Sequence, residues 1–183
     1  FKKRDEIQLN IKATSNIEWA QYNYIKKCIE YNWYDKIVLL DDLSAKKIYE
    51  QFIVNCHGED ICYIRSSTKG TKDFIDLRES EMLKKKLTIC TCVAFNGLNF
   101  KNKNERILVI GSIQQGITTS CEIIQQIGRI RNSKVTGLYF YDPEKIYIED
   151  IDGKEIRALE YNNLVIQGCT DSFLSYDRKY LDN

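Results

Sequence analysis

The chain has 183 residues, of which 43% are hydrophobic and 29% are charged, and its formal net charge of +1 argues against an acidic or basic tail protein. Its seven cysteines lack the spacing of a disulfide framework, and no apolar run approaches the ~20 residues that span a bilayer. The composition therefore predicts one domain with at most a small addition, in the reducing cytoplasm and with no membrane contact.

Helical and strand patterns alternate along the chain. Apolar residues at three- and four-residue steps predict helices, and short apolar runs predict strands buried on both faces. In the first helix the predicted apolar face consists of Ile17, Ala20, Tyr24, Cys28 and Tyr31. The predicted helices are 16–32, 45–54, 74–86 and 119–128, and the predicted strands are 36–40, 61–65, 87–92, 107–110 and 135–141.

Strands that alternate with helices across short connections predict an α/β domain with a mainly parallel sheet covered on both faces. The pattern changes beyond Pro143. There, residues 146–151 and 154–159 flank Asp152-Gly153, which predicts a hairpin. The predicted organisation is an α/β domain over 1–143 and a C-terminal appendage over 144–183 that contains the hairpin.

The first segment with chemical interest is 87–100. An apolar strand leads to Thr91, and a loop then runs through Gly97 and Asn99. In an open parallel sheet, ligands bind beyond the carboxyl ends of the strands, and a glycine lets the backbone approach a ligand closely. An ordinary strand-to-loop transition explains this segment equally well.

The second segment is 123–132. A helix rich in apolar residues ends in Gly128, Arg129 and Arg131, with Gln125 one turn earlier. Guanidinium groups bind phosphate oxygens in bidentate fashion, so two arginines at a domain surface can reach a nucleotide held by another domain. The alternative is a helix C-terminus whose cations complement the helix dipole.

Residues 125–131, Gln-Gln-Ile-Gly-Arg-Ile-Arg, resemble motif VI of superfamily 2 helicases, whose usual form is Gln-x-x-Gly-Arg-x-x-Arg. Residues 91–99 resemble their motif V, Thr-x-x-x-x-x-Gly-x-Asp, and 36–52 resemble the motif IV region. The resemblance covers residues 30–142. It implies a three-layer RecA-like C-terminal lobe.

The sequence departs from these motifs at two positions. The second motif VI arginine is Arg131, one place early, with Asn132 at the usual position. This Gly-Arg-x-Arg ending resembles the origin-binding and phage-type branch and some restriction-enzyme translocases. Asn99 replaces the motif V acid, which weakens the expectation of a direct ribose contact. There is also no Gly-x-x-x-x-Gly-Lys-Ser/Thr loop, since residues 68–72 lack its spacing.

The resemblance therefore implies that ATP and Mg²⁺ are held by an N-terminal RecA-like lobe of the same polypeptide, and that this chain alone does not hydrolyse ATP. In the family the motif VI arginines reach the γ-phosphate, so Arg129 and Arg131 are the expected fingers. Gln125 is expected to contact the phosphates or the partner lobe. Gly97, Asn99 and Gly128 are expected to line the nucleotide site.

The expected macromolecular ligand is nucleic acid, DNA rather than RNA. By the resemblance, Thr91 is expected to bind a backbone phosphate. By position alone, further backbone contacts are expected from Ser44, Ser66, Ser67 and Lys69. Two alternatives stay open at this point: a duplex translocase subunit of a restriction or remodelling enzyme, and a non-enzymatic interaction domain with decayed motifs.

Other reactive residues are assigned structural roles. His57 follows Cys56 in a polar loop at a spacing that predicts no metal site. Cys90 and Cys92 are expected on one strand as small buried side chains. Asp41 and Asp42 are expected in a turn and helix cap, 84–86 at a solvated helix end, and the aromatic residues 139–141 in the core.

Overall fold

The computed structural model describes residues 7–55, 60–95, 97–114, 118, 120–145, 148–149 and 155–156. Six strands form one parallel sheet in the order β1-β6-β5-β2-β4-β3, and two further strands form a separate pair. The strands are β1 Ile7–Ala13, β2 Lys36–Leu40, β3 Ile61–Ile64, β4 Leu87–Cys90, β5 Phe100–Ser112, β6 Ile130–Tyr141, β7 Ile148–Glu149 and β8 Glu155–Ile156. The helices are α1 Ile17–Glu30, α2 Ala45–Val54, α3 Lys72–Ser80, α4 Cys92–Phe95 and α5 Ser120–Gly128, with a 3₁₀ turn at Ser66–Thr68.

Apolar side chains cover both faces of the sheet, so the core has two halves. α1 and α2 pack on one face, and α3, α4 and α5 pack on the other. The helix residues that fill the first half include Ile25, Cys28, Ile48 and Phe52, and those that fill the second include Phe74, Leu77, Ile123 and Ile127. This arrangement confirms the predicted three-layer α/β fold with a parallel sheet.

Two of the observed strands extend beyond the predicted ones. β5 begins at Phe100 and β6 at Ile130, whereas the predicted strands began at 107 and 135. β2 faces β5 only from Ile107 onward, so the first half of β5 projects past β2 and pairs with β6. That half is polar because much of it is exposed, which is why apolar runs did not reveal it. β1 was not predicted; it is an edge strand in which polar and apolar residues alternate.

The predicted helix 74–86 is too long at its C-terminus. α3 ends at Ser80 because Glu81 adopts a left-handed conformation with φ 51°. The lysines of 84–86 therefore follow the helix and do not form its end. Lys84 Nζ instead lies 2.6 Å from the Asp76 carboxylate.

The predicted apolar face of α1 is correct except at its C-terminal end: Cys28 lies in the core, and Ile17, Ala20 and Tyr24 pack against it. Gln21, Ile25 and Cys28 are buried, and α1 ends at Glu30. Tyr31, predicted on the buried face, is 60% exposed. Gln21 is buried next to this face through hydrogen bonds to Asp41 and Ser44, so a pattern of apolar residues does not include it.

The C-terminal hairpin is confirmed where the structure describes it: β7 and β8 are antiparallel, with Ile148 opposite Ile156. The predicted Asp152-Gly153 turn lies outside the described residues, as do Cys56 and His57. Among the described residues, no helix is both long enough and apolar enough to cross a membrane.

Candidate functional site

The candidate residues lie at two opposite ends of the sheet. Thr91 and the 3₁₀ turn follow the carboxyl ends of β4 and β3. Asn99 directly precedes β5, and Arg129 directly precedes β6, so both lie at the amino ends of their strands. Ligand-binding segments were expected at the carboxyl ends of the strands. This expectation is wrong for Asn99 and Arg129, the residues assigned to the nucleotide, which lie at the amino ends.

Residues 91–99 connect these two ends. α4 begins where the Asp42 carboxylate accepts a hydrogen bond from the Cys92 N–H, at 2.9 Å. Its last residue, Phe95, is fully buried, and the Phe95 ring lies 4.9 Å from that of Phe100. A capped start and a buried aromatic end fix the path of the segment that sequence analysis treated as a loop. Asp42 is thus a helix cap, though for α4.

At the amino end, the two motif-like segments meet. The Phe100 N–H donates to the Arg129 carbonyl at 2.8 Å, and Phe100 pairs with Ile130 in the sheet. Ile130 is fully buried, so Arg129 and Arg131 flank a residue that anchors the strand in the core. Arg131 is exposed and Arg129 is half-buried. Backbone hydrogen bonding therefore joins the segment that ends at Asn99 to the segment that contains Arg129 and Arg131.

Asn99 and Gly97 have unusual local geometry. Asn99 Oδ1 is buried and has no hydrogen-bond partner within the described structure. Gly97 has φ 93°, a conformation that side chains rarely adopt, and no atom lies within 4 Å of the position of an added Cβ. A buried acceptor without a partner costs ~1–3 kcal/mol, so Asn99 Oδ1 is open to a donor from outside the described residues.

Glu81 also belongs to this end of the sheet. Its carboxylate lies 3.0 Å from Lys101 Nζ and accepts the Asn99 backbone N–H. The hydrogen bond from Lys101, followed by that from Asn99, holds the pKa of Glu81 below its usual value. Sequence analysis missed Glu81 because only the left-handed turn after α3 brings it to β5.

α5 is attached to the sheet by Gln126. The Tyr139 hydroxyl donates to Gln126 Oε1 at 2.8 Å, and Gln126 Nε2 lies 3.7 Å from Cys92 Sγ. Its neighbours Gln125 and Gly128 are exposed. Gln126 therefore fixes the helix that precedes the arginines, while Gln125 faces outward. Sequence analysis assigned no role to Gln126.

At the carboxyl end, Ser44 is part of a buried polar network. Its hydroxyl donates to Gln21 Oε1 at 2.6 Å, and Gln21 Nε2 donates to Asp41 Oδ2 at 2.9 Å. Asp41 Oδ1 accepts the Ser44 N–H at 3.1 Å, as expected of a turn and cap residue. Because Ser44 is only 5% exposed and its proton is engaged, it does not present a donor to solvent.

The other residues predicted to bind nucleic acid are accessible. Thr91 is half-buried, and Ser66, Ser67 and Lys69 are exposed in and after the 3₁₀ turn. Arg65, which sequence analysis missed, precedes this turn. Its guanidinium lies 5.4 Å from the centre of the Tyr63 ring, and its Nε is buried without a partner in the described structure.

In the part of the chain that the structure describes, no group of three or more His, Cys, Asp or Glu residues is placed to hold a metal ion. Burial raises the pKa of Cys92 to about 11 and of Cys62 to about 12. Cys90 is fully buried on β4, whereas Cys92 begins α4, so the expectation that both lie on one strand is wrong.

No protein-family model matches the sequence, and neither does any curated protein. Solved structures of helicase domains do match. Domain 2 of the DEAD-box helicase Mss116p, bound to an RNA duplex, has 16% identity and a TM-score of 0.51, over 76% of this chain and 56% of that one. The C-terminal domain of the DEAD-box protein Dbp5 has 14% identity and a TM-score of 0.53, over 78% of this chain and 81% of that one.

A third match is a variant of S. cerevisiae Dbp5 bound to a Gle1 variant and IP6, with 14% identity and a TM-score of 0.54, over 79% of this chain. This chain covers only 38% of that protein and 56% of the matched Mss116p chain. All three matches are structures of DEAD-box proteins, and two of them are of Dbp5. The chain therefore has the α/β RecA-like fold of the second domain of DEAD-box helicases.

Proposed function

We propose that this chain is the C-terminal motor lobe of an ATP-dependent nucleic-acid helicase of superfamily 2. The observation that supports the proposal is the junction at the amino ends of β5 and β6, where the Phe100–Arg129 backbone hydrogen bond joins the segment that ends at Asn99 to the segment that contains Arg129 and Arg131. Residues from two distant motif-like segments thus share one surface. The helicase domains with the same fold support this function.

At the amino end, the proposed ligand is ATP, held with Mg²⁺ by an N-terminal lobe. Arg131 is exposed and can extend toward a γ-phosphate across a cleft, where a guanidinium stabilises the charge that develops during phosphoryl transfer. Arg129 contributes a second cation from the same strand start. Gly97 and Gly128 leave room for close approach, and Asn99 Oδ1 offers an unpaired acceptor. Gln125 faces the phosphates or the partner lobe.

At the carboxyl end, the proposed ligand is the sugar–phosphate backbone of a nucleic acid strand. The exposed hydroxyls of Ser66 and Ser67, the ammonium of Lys69 and the side chain of Thr91 are the proposed donors. The buried Ser44 hydroxyl is left out of this set. DNA is the proposed strand on the evidence of the Gly-Arg-x-Arg ending, and RNA is the competing ligand because Mss116p domain 2 binds an RNA duplex.

The test is nucleic-acid-stimulated ATP hydrolysis by the full-length protein, measured with single-stranded DNA, single-stranded RNA and neither. The proposal expects stimulation in the full-length protein and none in the 183-residue chain alone. Robust hydrolysis by the isolated chain contradicts the two-lobe arrangement. A full-length protein that neither binds nor hydrolyses ATP would identify an interaction domain instead.

One observation favours a duplex translocase as the second candidate. Arg131 lies on β6, past the end of α5, and its Gly-Arg-x-Arg sequence resembles the ending found in some restriction-type translocases. The two candidates share one ATPase and differ in its output. Strand displacement and triplex displacement, measured side by side on the full-length protein, separate them.

A further inference from the structure

Aromatic rings form an exposed row where α1 ends, and the helicase proposal does not use them. Tyr31 is 60% exposed and Trp33 is 45% exposed, and their rings are stacked with centroids 5.6 Å apart. Tyr24, which is half-buried against the core, lies at the edge of this pair, with its ring 6.2 Å from that of Trp33 and tilted by 59°. Large aromatic side chains usually bury most of their surface, so an exposed stacked pair points to a ligand.

The rings are held in place before any ligand arrives. The backbone N–H of Trp33 donates to the Cys28 carbonyl at 3.1 Å, which holds this residue against the C-terminal end of α1. Tyr24 shares a side-chain hydrogen bond with Tyr34. A fixed row loses little conformational entropy on binding, which favours stacking of a flat group.

Positive charge surrounds the row. Lys12 Nζ lies 5.7 Å from the centre of the Tyr24 ring. Lys27 is three residues from Tyr24 and four from Tyr31, so it lies on their side of the helix. Lys26 and Lys27 are exposed, as is Lys12, while the acids next to the row include Glu30 and Asp35, of which Asp35 is paired with Arg106. Flat rings bordered by lysines match a polyanion that carries flat groups.

We infer that Tyr24, Trp33 and Tyr31 form a stacking platform for the bases of a single-stranded nucleic acid. Bases stack on the rings, and the lysines contact the phosphates. The platform lies on the α1–α2 side of the sheet and is therefore separate from the donors at the carboxyl ends. The inference rests on the proposed function only in taking nucleic acid as the ligand.

The two tryptophans of the chain, Trp19 and Trp33, allow a direct test. In the 183-residue chain, Trp19→Phe leaves Trp33 as the only tryptophan, and Trp33→Phe leaves Trp19, which is 65% exposed, as the matched control. Each variant is titrated with oligo(dT), oligo(rU) and heparin, and binding is followed in parallel by fluorescence anisotropy of a labelled oligonucleotide. The expected result is quenching of Trp33 by the oligonucleotides but not by heparin, and no quenching of Trp19.

A second measurement compares affinities. The double variant Tyr31→Leu, Trp33→Leu is expected to bind the oligonucleotide ~10-fold more weakly or worse, because the stacking contacts between its bases and these rings are lost. If the oligonucleotide binds with no change in Trp33 emission, the platform is refuted and the carboxyl-end site stands. If no oligonucleotide binds, the platform and the proposed nucleic-acid contact both fail. Equal quenching of Trp33 by heparin refutes stacking. If Trp33 emission changes only when an N-terminal lobe is added, the row is a protein interface and the platform is refuted.

Discussion

Ser44→Ala distinguishes a structural role of Ser44 from a phosphate contact. The substitution removes a hydroxyl whose oxygen lies 2.6 Å from Gln21 Oε1, in a network where Gln21 is fully buried. A buried acceptor left without its donor costs ~1–3 kcal/mol. For a chain of this size, that loss lowers the Tm by about 3–10 °C.

Thermal and urea unfolding measure this loss directly. The matched control is Ser66→Ala, at an exposed serine, which is expected to change stability by less than ~0.5 kcal/mol. In a Gln21→Met background, Ser44→Ala should cost less, because the acceptor is already absent. Unchanged stability together with weaker oligonucleotide binding would refute the network assignment and restore Ser44 as a phosphate donor.

Three further predictions follow from packing and charge. Gly111→Ala places a Cβ 2.5 Å from Tyr139 Cε1, so unfolding measurements should show a loss of ~1–3 kcal/mol from overpacking. The hydrogen bonds from Arg106 lower the pKa of Asp35 in the folded chain. The pair therefore stabilises the fold above the unfolded pKa of ~3.9, and this stabilisation is lost as the pH falls through the lower folded pKa. Asp35→Asn should remove that part of the pH dependence of stability, which urea titrations at different pH values measure. Burial raises the pKa of Cys62 to about 12, so the thiol should resist alkylation at pH ~8 in the folded chain and react after unfolding, as peptide mass mapping can show.

Apolar periodicity located the central strands because they are buried on both faces. β2 and β4, for example, consist almost entirely of apolar residues. The same method missed β1 and the first half of β5, because an edge or a projecting strand keeps polar residues on its exposed side. On α1 it located the buried face but extended it to the exposed Tyr31 and left out the buried, hydrogen-bonded Gln21.

For the candidate site, motif spacing identified the two segments but not their arrangement. The spacing does not reveal that residues 91–99 cross from one end of the sheet to the other, because this depends on where β5 begins. Nor does it reveal Glu81, whose contacts with Asn99 and Lys101 arise only from the turn after α3. Ser44 illustrates the reverse error: a serine at a helix start resembles a phosphate donor, yet its hydroxyl is buried.

The central claim is that the guanidinium of Arg131 acts on a nucleotide held by another lobe. The most direct test compares Arg131→Ala with Lys134→Ala in the full-length protein, since both residues are exposed on β6 and neither substitution should alter folding. The account predicts that Arg131→Ala lowers nucleic-acid-stimulated ATP turnover by ~10³-fold or more while oligonucleotide affinity is retained, and that Lys134→Ala leaves turnover unchanged. Wild-type turnover in Arg131→Ala, or an equal loss in both variants, would contradict it.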